Sequence, residues 1–287
     1  MNLGEMMRYK TYEKYVDSNI EGVGRIPSHW ELKKLKYNCK VNPSKKQSIS
    51  NEDLKINFLP MEKVSEDGWY DIESFAPYSS ISKGYTYFED NDVLLAKITP
   101  CFENGKSTVV KDLKYGFGFG STEFHVLRFR KNILPKFIYY VIKSYAFRTI
   151  GQAFMNGTAG QKRVGVEFIE NYLMVTPPLY EQEQVVNYLD TQTSKIDENI
   201  AKNEELIQLL EEKRVALINQ VVTKGLDHNA QMKESRIKWI RKIPKHWTET
   251  KLKYISTRIS KRAKKEDEML VCSNSGKVIL DSFICAL

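Results

Sequence analysis

Residues 177–225 read PPLYEQEQVVNYLDTQTSKIDENIAKNEELIQLLEEKRVALINQVVTKG, and the reading of this stretch decides the architecture. Alternating steps of three and four from Val186 pass through Leu189, Thr193, Ile196, Ile200, Asn203, Ile207, Leu210, Arg214, Leu217 and Val221. Eight of these eleven positions are apolar and no Gly or Pro interrupts them, which is the pattern of a coiled-coil seam. At ~1.5 Å per residue a helix over 181–223 would run roughly 65 Å, far more than one globular core needs. Pro177 and Pro178 punctuate its start, Glu181 and Glu183 suit the positive end of the helix dipole, and Lys224-Gly225 close it. A helix lying on its own domain is the plainer alternative. The narrowness of the stripe, with polar Asn203 and Arg214 set on it, favours a helix–helix seam. Val186, Leu189, Ile196, Ile200, Ile207, Leu210, Leu217 and Val221 are then the partner-facing residues.

Charge divides the chain at the same places. Residues 1–178 hold 25 basic and 20 acidic side chains, the helix (179–225) holds 5 and 9, and the tail (226–287) holds 14 and 7. A basic globule beside an acidic stalk suggests a polyanion for the globule and protein for the stalk. No run approaches the ~18 apolar residues of a membrane span, and the N-terminal stretch has no apolar core of a secretory signal. Cys39, Cys101, Cys272 and Cys285 are scattered, so reduced thiols are expected and a structural zinc is not.

An internal repeat gives the organisation. IPSHWELKKLKY (26–37) recurs as IPKHWTETKLKY (243–254), with eight of twelve positions identical at an offset of 217. The chain therefore reads as globule, long helix, and the start of a second globule. His29-Trp30 and His246-Trp247 resemble site residues, but a repeated Pro-x-His-Trp at a domain entrance is better read as a packing anchor.

Between repeat and helix the pattern is mixed. Segments 54–61, 92–98, 107–110 and 123–129 are expected as strands, and KFIYYVIKSYAFRTI (136–150) has helical spacing. A loop, NGTAGQKR (156–163), leads to a strand through 172–175. Residues 101–107, CFENGKS, imitate the end of a phosphate-binding loop, but Pro100 replaces the first Gly and a strand follows where a helix is needed. GFGFG (116–120) lacks dinucleotide-site spacing and reads as strand or tight turn. Asp90, Asp92 and Glu103 around Lys97 lack the paired acid-acid-Lys arrangement of a nuclease.

Together, AKITPCFENGK (96–106), GSTEFHVLR (120–128), GTAGQKRV (157–164) and PPLYEQEQVVNYLD (177–190), preceded by IPSHW, resemble the specificity subunit of a type I restriction–modification system. The resemblance spans nearly the whole chain. It implies an α+β fold: a mixed target-recognition domain (1–178), a long conserved coiled-coil helix (179–225) and a partial second recognition domain (226–287). It implies a non-catalytic, cytoplasmic, prokaryotic subunit with no cofactor of its own. Double-stranded DNA at a split site, methyltransferase (modification) subunits and restriction subunits are the implied partners. S-adenosylmethionine, ATP and Mg²⁺ would be bound by those partner subunits. Family members alternate two recognition domains with two helices; this sequence has one of each and the start of a second domain. That leaves open a homodimer through the helix, a coiled-coil interaction module, and an inactive truncated remnant. For DNA contact the residues expected are Lys97, Asn104, Lys106, Ser121, Thr158, Gln161, Lys162 and Arg163.

Overall fold

The computed structural model describes residues 12–20, 23–45, 51–158 and 160–257, together with the backbone of 270–272 and 278–280. A short ladder opens the chain, β1 (Tyr15–Asp17) pairing β2 (Arg25–Pro27), while β3 (Glu31–Lys34) pairs residues 173–176 far along the chain. There follow β4 (Cys39–Val41), β5 (Lys55–Leu59), β6 (Phe75–Pro77), the single turn α1 (Tyr78–Ile81), β7 (Thr86–Glu89), β8 (Val93–Ala96) and β9 (Ser107–Val109). Next come β10 (Phe117–Gly120), β11 (Phe124–Phe129), α2 (Pro135–Lys143), α3 (Tyr145–Ala153), β12 (Met155–Asn156), β13 (Arg163–Val164), α4 (Val166–Asn171), β14 (Leu173–Thr176) and α5 (Leu179–Lys224). After the helix stand β15 (Met232–Glu234) and β16 (Lys242–Pro244).

Two four-stranded sheets carry the first domain, in the orders β6-β5-β10-β7 and β4-β11-β8-β9; only the β5–β10 pair is parallel. The run VLLA of β8 is buried throughout because both faces are covered, which is why it reads as continuous apolar sequence instead of alternating. Val93 and Leu95 face α2 and α3 with Leu127, Ile138, Ile142 and Phe147. Leu94 faces the other sheet with Phe88, Phe124 and Val126. A third cluster, Ile56, Tyr78, Tyr87, Phe117 and Phe119, covers the far face of the first sheet.

The glycines of β10 have a steric cause. A Cβ at Gly120 would stand 2.4 Å from the Leu59 carbonyl oxygen, and one at Gly118 would meet the Phe88 ring at 2.8 Å. The strand alternative for GFGFG therefore holds, and the segment after the false phosphate loop is strand β9 as expected. The helical segment 136–150 is broken in two at Ser144, whose Oγ accepts from Phe147 N at 3.3 Å and starts a new helix. Helix α4 was not legible in the sequence.

The α+β class and the long helix agree with expectation. The chain's contacts divide it into residues 1–199 and 200–287, a boundary inside α5. One residue of the apolar stripe changes place: Val186 is buried in the core with Phe168, Met174 and Ile169, so it serves the first domain and is not free for a partner. Ile196, Ile200, Ile207, Leu210 and Leu217 are exposed. No helix among the described residues is long and apolar enough to cross a membrane.

Candidate nucleic-acid interface and the helix anchor

Strands β8, β11 and β13 bring most of the expected DNA-contact residues together. Lys97 N donates to the Glu123 carbonyl at 2.9 Å, and Val164 N donates to the Lys97 carbonyl at 2.9 Å. Ile98 bridges Arg163, and Thr99 N donates to the Lys162 carbonyl at 3.0 Å. Backbone pairing thus carries the GTAGQKR loop on the end of β8. Inside that loop Gln161 N donates to Thr158 O at 3.0 Å. A Cβ at Gly157 would stand 2.8 Å from the Gln161 carbonyl, so only glycine fits this closure, at φ 133°.

A buried histidine fastens the loop from below. His125 Nε2 lies 2.9 Å from the Val164 carbonyl, so that nitrogen carries the proton and donates. Nδ1 then accepts from Asn42 Nδ2 at 3.1 Å. Burial lowers the His125 pKa, keeping the ring neutral in this arrangement. Asn42 is itself locked by an exchange with Val126, its N donating at 2.7 Å and its Oδ1 accepting at 2.9 Å.

Electrostatics differ among the loop residues. Arg163 forks onto Glu123, with Nε to Oε2 at 3.0 Å and Nη2 to Oε1 at 2.9 Å. This pairing holds the Glu123 carboxyl below its ordinary pKa. The exposed side chains of Thr158, Gln161 and Lys162 point to no protein hydrogen-bond partner among the described residues. Lys97 lines a neighbouring cleft of about 340 Å³ with Asn42, Lys45, Ser82, Tyr85 and Thr122. Lys45, Tyr85 and Thr122 were missed by sequence reasoning; only the basic run at 45–46 offered a signal.

Two expected residues lie elsewhere. Asn104 Nδ2 donates to Glu66 Oε1 at 2.6 Å, and Lys106 Nζ donates to the Met61 carbonyl at 3.3 Å. Both fasten the 101–106 turn to the 61–68 loop, where Lys143 also donates to the Gly105 carbonyl at 3.1 Å. Ser121 is spent locally, its Oγ accepting from Glu123 N at 3.2 Å. Asp92 and Asp90 are also engaged. Asp92 takes Arg128 through both oxygens, at 2.8 and 2.6 Å, and Asp90 Oδ1 accepts from Leu113 N at 3.0 Å.

The start of α5 is locked by PPLYEQ. Glu181 is buried, and its Oε1 lies 2.6 Å from His29 Nε2. Its Oε2 accepts from Tyr12 Oη at 2.7 Å and Trp30 Nε1 at 2.8 Å. Burial alone would raise its pKa, but these donors outweigh burial and hold the carboxyl at about 2. Gln182, fully buried, accepts from Leu134 N at 2.9 Å and donates to the Pro177 carbonyl at 2.8 Å. The Pro-x-His-Trp motif is therefore an anchor for the long helix.

Residues 27–209 match the family described as Type I restriction modification DNA specificity domain. The EcoEI specificity subunit of Escherichia coli is 41% identical over 164 residues, which cover 56% of this chain and 27% of that protein. The EcoAI subunit of the same organism is 40% identical over an equal length and share. The chain thus spans about a quarter of the length of these relatives. The solved HsdS subunit from Thermoanaerobacter tengcongensis superposes with a TM-score of 0.52 at 19% identity, covering 71% of this chain and 50% of that one. A chain from a structural study of complex assembly and conformational transition of the type I R-M system gives 0.54 at 15%, covering 70% and 47%. Those two likenesses concern the fold. With the family match covering more than half the chain, and with PPLYEQ and Pro-x-His-Trp locked to each other, this chain belongs to the type I restriction–modification DNA specificity family.

Proposed function

We propose that the first domain binds duplex DNA and directs methyltransferase and restriction subunits to one half of a split site, without chemistry of its own. The observation that carries this is the GTAGQKR loop. It is held at the end of β8 by backbone pairing and His125, while Gln161 and Lys162 are left exposed. Lysine and arginine there would supply phosphate affinity, and Gln161 suits the N6/N7 edge of adenine. Lys97, Ser121, Thr158 and Arg163 complete the proposed contact set, whereas Asn104 and Lys106 are engaged with Glu66 and Met61. The domains proposed are 1–178 for target recognition, 179–225 for the conserved helix and 226–287 for the start of a second recognition domain. S-adenosylmethionine, ATP and Mg²⁺ are assigned to the partner subunits, and the chain alone is expected neither to methylate nor to cleave DNA.

A second reading concerns assembly. The exposed stripe Ile196, Ile200, Ile207, Leu210 and Leu217 favours burial against another helix, and a second copy could offer the same stripe antiparallel. Two identical recognition domains related by a two-fold axis would read an interrupted palindrome. Methylation mapping in cells holding this chain with its modification subunit tests both readings. A motif that appears only with this chain supports DNA targeting, and a palindromic motif supports the homodimer. Absence of any motif, with normal protein assembly, would leave an interaction module and overturn the targeting role.

A further inference from the structure

The cleft beside the GTAGQKR loop, about 340 Å³ in volume, lies where the two sheets of the first domain meet. Thr86 and Tyr87 come from β7 and Phe119 from β10, in one sheet. Lys97 follows β8 and Phe124 belongs to β11, in the other. The floor is aromatic. Tyr87, Phe119 and Phe124 are buried, and the Tyr87 hydroxyl is spent on Glu89 Oε1 at 2.8 Å, so ring surface is what the floor offers.

The walls carry charge and hydroxyls. Lys45 Nζ stands 4.4 Å from the Tyr78 ring centroid and 5.9 Å from that of Phe119, and it also donates to Tyr78 Oη. Those contacts hold an otherwise flexible side chain at the rim. Lys97 is half-buried in the same cleft, and Ser82 and Thr122 add hydroxyls. Among the described lining residues there is no carboxylate, so the two ammonium groups favour an anion. Tyr85 is 44% exposed and meets Phe58 edge to face with centroids 4.9 Å apart, which fixes the ring while part of it stays in solvent.

A flat aromatic floor, a fixed and exposed tyrosine and two ammonium groups answer to one chemistry, a planar base joined to a phosphate. We propose that this cleft binds a single nucleotide, its base against Tyr85 and the aromatic floor and its phosphate at Lys45 and Lys97. The volume is at the small end of ligand pockets, which span ~300–1,000 Å³, and suits one nucleotide and not a duplex. A nucleotide of duplex DNA must leave the stack to enter, and that costs least where its base is unpaired. With DNA as the source the inference rests on the DNA-binding reading above; a free nucleotide offers the same base and phosphate.

The test uses the full chain and three probes: a fully paired duplex, the same duplex with one bulged nucleotide, and deoxyadenosine monophosphate. The bulged duplex should bind about tenfold more tightly than the paired one, because its nucleotide is already unstacked. Tyr85→Ala should abolish that preference and Tyr85→Phe should keep it, since stacking needs the ring and not the hydroxyl. Calorimetric titration with deoxyadenosine monophosphate separates the sources. Binding that Tyr85→Ala removes, without a bulge preference, assigns the cleft to a free nucleotide. If neither duplex binds, the DNA reading fails and this titration alone decides the cleft. Equal binding of the two duplexes, together with no Tyr85-dependent binding of the monophosphate, would overturn the proposal. So would a bulge preference that Tyr85→Ala leaves intact.

Discussion

Arg163 faces Glu123 through a two-point fork, Nε and Nη2 standing 3.0 and 2.9 Å from the two carboxylate oxygens. The pair sits at the edge of the exposed loop, so the arginine's charge is half spent before any DNA arrives. Glu123→Gln should release it. We expect tighter binding to all duplexes and a log K against log salt slope steeper by about one unit, since one more phosphate is neutralised. Arg163→Ala leaves Glu123 facing phosphate and should weaken binding. Fluorescence anisotropy over a salt series checks both; opposite signs for the two variants are required.

Lys162 and Gln161 separate affinity from sequence reading. Lys162→Ala should weaken binding to every duplex alike and lower the salt slope by about 0.9. Gln161→Ala should leave the slope unchanged and reduce discrimination at one base pair by ~1–3 kcal/mol. Competition against single-base variants of the site measures it. A uniform loss from Gln161→Ala would move that residue from base to phosphate contact.

The apolar stripe gives a prediction about assembly. Ile200 and Ile207 are 51% and 56% exposed, so replacing both with Asp costs the first domain no core packing. The double variant should keep its circular dichroism spectrum and melting temperature. Association through the helix should fail, because each charge would be desolvated at an apolar contact. Analytical ultracentrifugation with and without the modification subunit reads this out.

Acid should release the helix start. The Glu181 carboxyl titrates at about 2 in the fold against an ordinary 4.5, so its stabilisation is fully present above pH ~4.5 and is lost as pH falls towards 2. Glu181→Gln should remove most of this pH dependence. Denaturant melts of the two proteins at pH 7 and pH 3.5 test it. A gap between them as large at pH 3.5 as at pH 7 would contradict the anchor.

His125 adds a second acid-sensitive fastening with its own window. Its folded pKa is depressed by burial, so the unfolded state takes up a proton more readily and stability falls as pH drops below about 6.5. Protonation would leave Nδ1 donating towards Asn42 Nδ2, where it now accepts. The protection factor of the Val164 N–H, corrected for the intrinsic pH dependence of exchange, should therefore fall between pH 7 and pH 5, and His125→Asn should flatten that response. Unchanged protection at Val164 across this range would detach the loop from the histidine.

The long helix, the strands at 55–59, 93–96, 107–109 and 124–129, and the repeated Ile-Pro-x-His-Trp segment were legible because their signals are local, whereas the hairpins that lead into the repeat were not read from it. Helical periodicity, apolar runs and a repeat at fixed offset need no knowledge of what lies across the fold. The break at Ser144 was carried by a single side-chain cap inside an otherwise continuous helical pattern, and such a cap competes weakly with periodicity until packing selects it. Tertiary structure alone decided which members of the basic and polar set serve a common face. Lys97, Gln161, Lys162 and Arg163 meet because β13 bridges the end of β8 across some sixty residues of chain. Asn104 and Lys106 follow Lys97 closely in sequence, yet the tight turn after β8 carries them to Glu66 and Met61. Residue type told that these side chains could bind an anion. Whether each meets solvent, a carboxylate or a backbone carbonyl depends on chain folding at long range, which no spacing along the sequence records.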